Sequence, residues 1–463
     1  MSRMSEAEAI MWTLDKDPAL RSDFTNITVL EGPPDEDRVR AKVAAATDAI
    51  PRLRQRVVAP PLRIAPPEWC DDPTLDLDYH LRKVALPAPG SMRELLDLAG
   101  AISSTPLDRS RPLWEFTLVE GLEGGRTALL QQIHHTITDG VGGLRLSLSL
   151  VDLEPDPADD STAAQAPPER RRDLIERGSP LDVVGGAVAH AIRSNARLAA
   201  RGLGALADAA RHPTQAPKRA ADCWALAGSL RRQALVTDSA HSTPLASRSL
   251  RRRYEVFQVP LRAAKEVASR LGGTLNDLYV TGLTGALGAY HERMGVSCDE
   301  LRMAMPVDLR IAGGDTAANQ FAPARVLVPT RPEDPAERFA LVHEALRSAR
   351  SEPALGVVGS LTPLLAPLPT SVLVRFTRSQ ARTIDFAASN LRGSPVPLYV
   401  GGRQIVASYP MGPRSGVALN VTLLSYCDSL DMGINIDPAA ITDSGALMGA
   451  MTESFDALLA GSL

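Results

Sequence analysis

Residues 154–173 cannot belong to a packed core, and that one stretch divides the chain. It carries Pro155, Pro157, Pro167 and Pro168, with acidic residues ahead of Arg170, Arg171 and Arg172. Such a composition has too little apolar surface to offset the entropy of ordering it, so it reads as a linker or surface loop. On both sides of it, strand and helix patterns interleave. Before it, the spacing of apolar residues predicts helices over 38–49 and 95–103. A buried strand is expected over 127–133, after the turn residues Glu123, Gly124 and Gly125. After it, strands are expected over 253–259, 302–307, 326–328, 417–424 and 430–436, and helices over 261–271, 275–290 and 332–350. The expected class is α/β in two units, 1–154 and 246–463, joined by 155–245.

The joining segment changes character at residue 181, becoming alanine-rich and helical. Between Gly186 and Leu235 it holds 8 basic residues against 2 acidic ones, in a chain of 463 residues with a formal charge of −4. Arg193, Arg197 and Arg201 recur every four residues and so share one helix face. Two readings stand. The face is simply solvated, or it meets anionic lipid headgroups, where each basic residue contributes about 1 kcal/mol.

The overall charge excludes a dedicated nucleic-acid binder, which needs a basic excess to neutralise phosphates. Cys70, Cys223, Cys298 and Cys427 lie far apart, without CxxC spacing, which argues against a zinc ribbon and for a reducing, cytoplasmic setting. The N-terminal residues lack a basic run followed by an apolar stretch, so no secretory leader is expected. The longest apolar candidate, 360–374, is broken by Pro363, Pro367 and Pro369. It is expected to be a buried segment and not a membrane span, which needs about 20 apolar residues.

Chemistry concentrates in one run, Ile133-His134-His135-Thr136-Ile137-Thr138-Asp139-Gly140. It leaves the expected strand 127–133 and leads to an expected helix over 141–153. A polar cluster at the carboxyl end of a strand is where open α/β sheets often place their sites. Adjacent side chains on an extended backbone point to opposite faces, so His134 and His135 should not act on one substrate together. Asp139 can orient an imidazole, hold an arginine or cap the following helix, and Gly140 lets the backbone pass closely. A metal site would need His134, His135 and Asp139 to converge around an open position, which neighbouring residues rarely do. No GxSxG elbow offers a nucleophile. A histidine general base needs only a pKa near neutrality and reach to a hydroxyl proton. The remaining histidines, His80, His190, His212, His241, His291 and His343, stand singly and read as surface or core residues.

The HHxxxDG run resembles that of the bacterial wax ester synthase/diacylglycerol acyltransferase family. This family lies within the broader group that holds chloramphenicol acetyltransferase and the condensation domains of peptide synthetases. Further segments narrow the resemblance. Residues 107–115, with Pro112, Leu113 and Trp114, followed by Val119-Glu120-Gly121-Leu122, look like the family's PLW region. Asn276-Asp277 looks like its ND motif, and Pro306-Val307-Asp308-Leu309-Arg310 like its PVxLR segment. Ser389-Asn390 with Gly393, Tyr409-Pro410 and Asn420-Val421-Thr422 follow its C-terminal pattern. The chain departs from the pattern at Ala318-Asn319 and Arg392.

The resemblance implies two chloramphenicol acetyltransferase-like domains joined by a crossover, with an active-site tunnel between them. It implies an O-acyltransferase that moves a long-chain acyl group from acyl-CoA, as co-substrate, to a lipid hydroxyl. Diacylglycerol or a fatty alcohol would be the acceptor. No metal or other cofactor is implied. His135 would be the base and His134 a support. Asp139 would hold the loop through an arginine, with Arg310 a candidate. A polyketide or glycolipid acceptor, or a non-catalytic lipid-binding role, is the alternative. Peripheral attachment to membrane or lipid bodies is expected. For the remaining candidates two readings stay open: Trp114 lines the tunnel or fills a core; Asn276 and Asp277 meet substrate or cap the helix over 278–290; Asn390, Asn420 and Thr422 bind substrate or satisfy buried backbone groups.

Overall fold

The computed structural model describes residues 2–60, 65–137, 146, 149–156, 240–308, 321–350 and 368–460. The first part runs β1 (Ser2–Arg3), α1 (Glu6–Leu14), β2 (Asp23–Leu30), α2 (Glu36–Ala49), β3 (Gln55–Val58), β4 (Glu68–Asp71), α3 (Leu77–His80), β5 (Leu81–Ala85), α4 (Met92–Ser104), β6 (Trp114–Leu122) and β7 (Arg126–His134). The second opens with β8 (Arg253–Pro260), α5 (Leu261–Arg270), α6 (Leu275–Arg293), β9 (Glu300–Asp308), β10 (Phe321–Pro329) and α7 (Pro335–Arg350). It closes with α8 (Thr370–Ala381), β11 (Phe386–Arg392), β12 (Tyr399–Val400), β13 (Arg403–Met411), β14 (Leu419–Tyr426), β15 (Ser429–Ile436) and α9 (Ser444–Ala460). The basic segment over 186–235 lies outside the described residues, as does most of the helix expected over 141–153.

Two six-stranded sheets carry the molecule. The first has the order β12-β13-β2-β7-β6-β5, antiparallel except between β5 and β6. Alternation along β2 and β7 sends Ile27, Val29, Ala128 and Leu130 to a core with Leu95, Leu96 and Ala99 of α4. The intervening residues Leu30, Leu129 and Ile133 go to a second core with Val39 and Val43 of α2. Helix α4 starts where it does because Ser91 and Glu94 form a reciprocal cap.

The second sheet has the order β10-β9-β11-β14-β15-β8. Its strand β11 runs parallel to both β9 and β14. Val421, Leu423, Ile434 and Ile436 are fully buried against the helical layer of α5, α6, α7 and α9. Tyr279 Oη donates to the Val421 carbonyl at 2.8 Å and ties α6 to the sheet.

Sheet membership and chain order do not coincide. Strands β12 and β13 come from the second half of the chain but extend the first sheet, with Tyr409 opposite Ile27 and Met411 opposite Thr25. β13 then lies against β14 and β15. There Ser408 N–H donates to the fully buried Asp431 at 2.8 Å. A Cβ on Gly433 would come within 2.2 Å of the Pro410 carbonyl oxygen, so only glycine allows this approach.

Two expectations need correction. The part of 360–374 that is described, from residue 368 on, opens helix α8, and only Leu373 in it is buried. Pro369 explains this: it stands ahead of the first turn, where its missing N–H costs nothing. The second concerns a cap: the helix over 275–290 begins at Leu275 as expected, but neither Asn276 nor Asp277 is its N-cap. Its N-cap is Thr274, with Asp277 at the third position returning a bond to the Thr274 N–H at 2.7 Å.

Candidate active site

Strand β7 ends at His134, and the chain turns there under several constraints. His134 N–H donates to the Leu113 carbonyl at 3.0 Å, His135 N–H to the Ser22 carbonyl at 3.2 Å, and Ile137 N–H to the His134 carbonyl at 2.9 Å. Arg52 donates to the Thr136 carbonyl at 3.0 Å while pairing with Glu8 at 2.7 Å. These bonds pin the backbone on which both imidazoles stand.

His134 is buried. Its Nδ1 accepts the Thr136 N–H at 3.1 Å and lies 2.7 Å from the Thr136 hydroxyl. With Nδ1 an acceptor, the ring proton sits on Nε2. Nε2 is 3.1 Å from Asp15 Oδ2, at hydrogen-bond distance but without straight alignment. Burial works against ionisation of Asp15. The contact and charge of His134, the Ser22 N–H and the charge of Arg109 outweigh it, and its pKa falls below the ordinary carboxylate value. Arg109 lies 3.4 Å over the Trp12 ring and donates to the Trp12 carbonyl at 2.8 Å.

His135 faces the other way, with its ring 4.9 Å from Phe24. Phe24 pairs with Ile133, and Asp23 with His134, so the two histidines continue opposite faces of the sheet. They diverge, as adjacent residues on a strand must. His135 lies deep in the protein, yet its own surface is only half-buried. Depth pushes its pKa down to about 4, since desolvation disfavours imidazolium; the charge of His134 adds to this and that of Asp15 opposes it. The ring is therefore neutral at pH 7, with a lone pair to offer, but its pKa lies below the near-neutral value expected of a general base.

The other candidates fall into separate places. Trp114 is fully buried, stacked at 4.4 Å on His80, with Nε1 donating to the Leu53 carbonyl at 2.8 Å. It fills the core beside the site and presents no free surface. Asn276, next to the α6 cap, accepts from Asn390 at 3.2 Å and contacts Met305 Sδ at 3.7 Å. Asp277 is buried, bonded to the Thr274 amide and hydroxyl and to His343 Nδ1 at 2.9 Å. The two Thr274 bonds serve the helix start, and the third ties it to α7. Asn420 donates to the Pro413 carbonyl at 2.6 Å and accepts from Thr422 at 3.2 Å. Both thereby satisfy buried groups. Register puts Asn390 beside Leu423 and Ser389 beside Thr422, so Asn390 and Thr422 stand on opposite faces of the sheet. Asp139, Gly140 and Arg310 lie outside the described residues.

Sequence reasoning missed Asp15 and Arg109. Asp15 is more than a hundred positions from His134, and an aspartate after a short helix carries no local mark of its partner. The one signal was for Arg109, which lies in the 107–115 segment that resembles the family's PLW region.

The wax ester synthase/diacylglycerol acyltransferase catalytic domain, as a family, matches residues 4–279, and the family's C-terminal domain matches residues 317–459. The chain belongs to this acyltransferase family. It is 36% identical over 469 residues to a Mycobacterium tuberculosis H37Rv protein provisionally named a diacylglycerol O-acyltransferase, covering 99% of this chain and 91% of that one. A second protein of the same strain and provisional name is 30% identical, covering 99% and 97%. Among solved structures, the wax ester synthase/diacylglycerol acyltransferase of Marinobacter aquaeolei VT8 superposes with a TM-score of 0.66 at 21% identity, covering 99% and 98%. The starter condensation domain of rhizomide synthetase, solved with C8-CoA and Leu-SNAC, gives 0.58 at 13%, covering 99% and 93%. These likenesses establish the α/β fold with two chloramphenicol acetyltransferase-like halves. Among the described residues, no helix is long and apolar enough to cross a membrane.

Proposed function

We propose that this family member transfers a long-chain acyl group from acyl-CoA to the hydroxyl of diacylglycerol or a fatty alcohol, with His135 as the general base. The observation that carries the reading is the His135 imidazole, neutral and deep yet still partly accessible. Such a ring suits a passage between the two sheets better than a sealed core or an open surface. The printed names of the M. tuberculosis and Marinobacter relatives support the acceptor class, and the C8-CoA bound to the condensation domain supports the donor.

His135 takes the proton from the acceptor hydroxyl as its oxygen attacks the thioester carbonyl carbon. The carbonyl electrons move to oxygen and form a tetrahedral oxyanion, which a fixed donor stabilises by about 3 kcal/mol. Collapse breaks the carbon–sulfur bond, and CoA thiolate leaves, recovering the proton from the imidazolium. No enzyme-bound acyl group forms and no resident cofactor takes part. His134, Asp139 and Gly140 support the site. Work on greasy reactants favours a cytoplasmic enzyme attached peripherally to membrane or lipid bodies.

The test is turnover of long-chain acyl-CoA with diacylglycerol, a fatty alcohol and a panel of polyketide and glycolipid alcohols, with products identified by mass spectrometry. Ester formation with the first two is expected, and His135→Ala should lower kcat roughly 10²–10⁴-fold. Full turnover in His135→Ala would remove the base from the mechanism. Ester made only on a polyketide or glycolipid acceptor, or lipid binding without ester, would replace the substrate assignment.

A further inference from the structure

We infer that Asp15 is a positioning residue of this site, one carboxylate holding both histidines of the doublet from the far end of the chain. The inference rests on the reading of His135 as base. Asp15 Oδ2 stands 3.1 Å from His134 Nε2, the nitrogen that bears the ring proton. Its Oδ1 accepts the Ser22 N–H at 2.8 Å. The carbonyl of that same Ser22 accepts the His135 N–H at 3.2 Å. One side chain therefore reaches the ring of His134 directly and the backbone of His135 through a single residue.

Helix stability does not account for this aspartate. Asp15 is the C-cap of α1, where the helix dipole presents its negative end and an acid is disfavoured. Nor is it a surface acid, since its side chain is only 12% exposed. Arg109, stacked on Trp12, supplies compensating positive charge from above. The carboxylate is thus kept where it costs the helix and where its contacts converge on the doublet. Its role is to keep His134 in the Nε2–H tautomer together with the Thr136 N–H on Nδ1, and to keep the turn over 134–137 in register through Ser22. A general base displaced by an ångström loses about a hundredfold in rate.

The experiment compares Asp15→Asn, Asp15→Ala and Asp15→Glu with wild type and with His135→Ala, in full-length protein. It uses a long-chain acyl-CoA and a fatty alcohol as probes. Steady-state kinetics are measured beside ¹⁵N NMR of the histidine ring nitrogens. Asp15→Ala should lower kcat roughly 10–100-fold, with KM within about threefold, and should mix the His134 tautomers. Asp15→Asn, which keeps the acceptor oxygen and the shape but loses the charge, should fall between, and Asp15→Glu should restore part of kcat. If Asp15→Ala does not fold, the nearly isosteric Asn variant decides the matter. A kcat within twofold of wild type, with the His134 tautomer unchanged, overturns the inference. Full turnover in His135→Ala overturns instead the reading beneath it, while the His134 tautomer still reports on Asp15.

Discussion

The pKa of His135 makes a prediction about pH. The base acts only when neutral, and burial lowers its pKa from 6.5 to about 4. kcat/KM should therefore stay level down to about pH 5 and drop tenfold per unit below about 4. A break near 6.5 in the pH–rate profile would mean that water reaches the ring freely. The same shift affects folding. Between pH 6.5 and about 4 the unfolded chain binds a proton at this residue that the folded chain does not, so stability present above 6.5 is lost as pH falls toward 4. At this scale much was legible: the His134–His135 doublet declared itself by residue type and by its place after a strand. Asp15 did not, because its role exists only once α1 is folded against the end of β7.

At the scale of elements, the junction of β13 with β15 is the sharpest constraint. A Cβ on Gly433 would meet backbone, the Pro410 carbonyl, and backbone cannot swing aside as a side chain can. Gly433→Ala should destabilise the fold by about 1–3 kcal/mol, measured by urea or thermal denaturation. A change under 0.5 kcal/mol would show that the strands separate without cost. The element types were written in local periodicity, which is why 127–133, 253–259 and 430–436 appear as strands within a residue or two of expectation. Helix starts were less legible. Thr274, not Asn276, caps α6, because the reciprocal Thr274–Asp277 bonds satisfy more free amides than an asparagine two residues further on.

For the whole molecule, the exchange of β12 and β13 into the first sheet makes the halves interdependent. Buried and half-buried ion pairs reinforce this: Arg252 with Asp23 at 3.6 Å, Arg93 with Glu255 at 2.9 Å and Arg378 with Asp17 at 2.7 Å. One cooperative unfolding transition is expected. Trp12, Trp69 and Trp114 all sit in the first unit and weight fluorescence toward it, whereas far-UV circular dichroism reports on both. The two probes should give coincident midpoints in urea, and fluorescence melting ahead of circular dichroism would mean that the units are separable.

Sequence alone determined the α/β class, the two-unit plan, the position of the doublet and the family. Each of these is written in residue type, short spacing or periodicity, which need no knowledge of distant contacts. Tertiary structure decided what meets what: Asp15 beside His134, Trp114 sealed against His80, Asn390 and Thr422 on opposite faces, and β13 lent across the two sheets. Those outcomes depend on strand register and on packing between segments tens to hundreds of residues apart, and no local pattern encodes either.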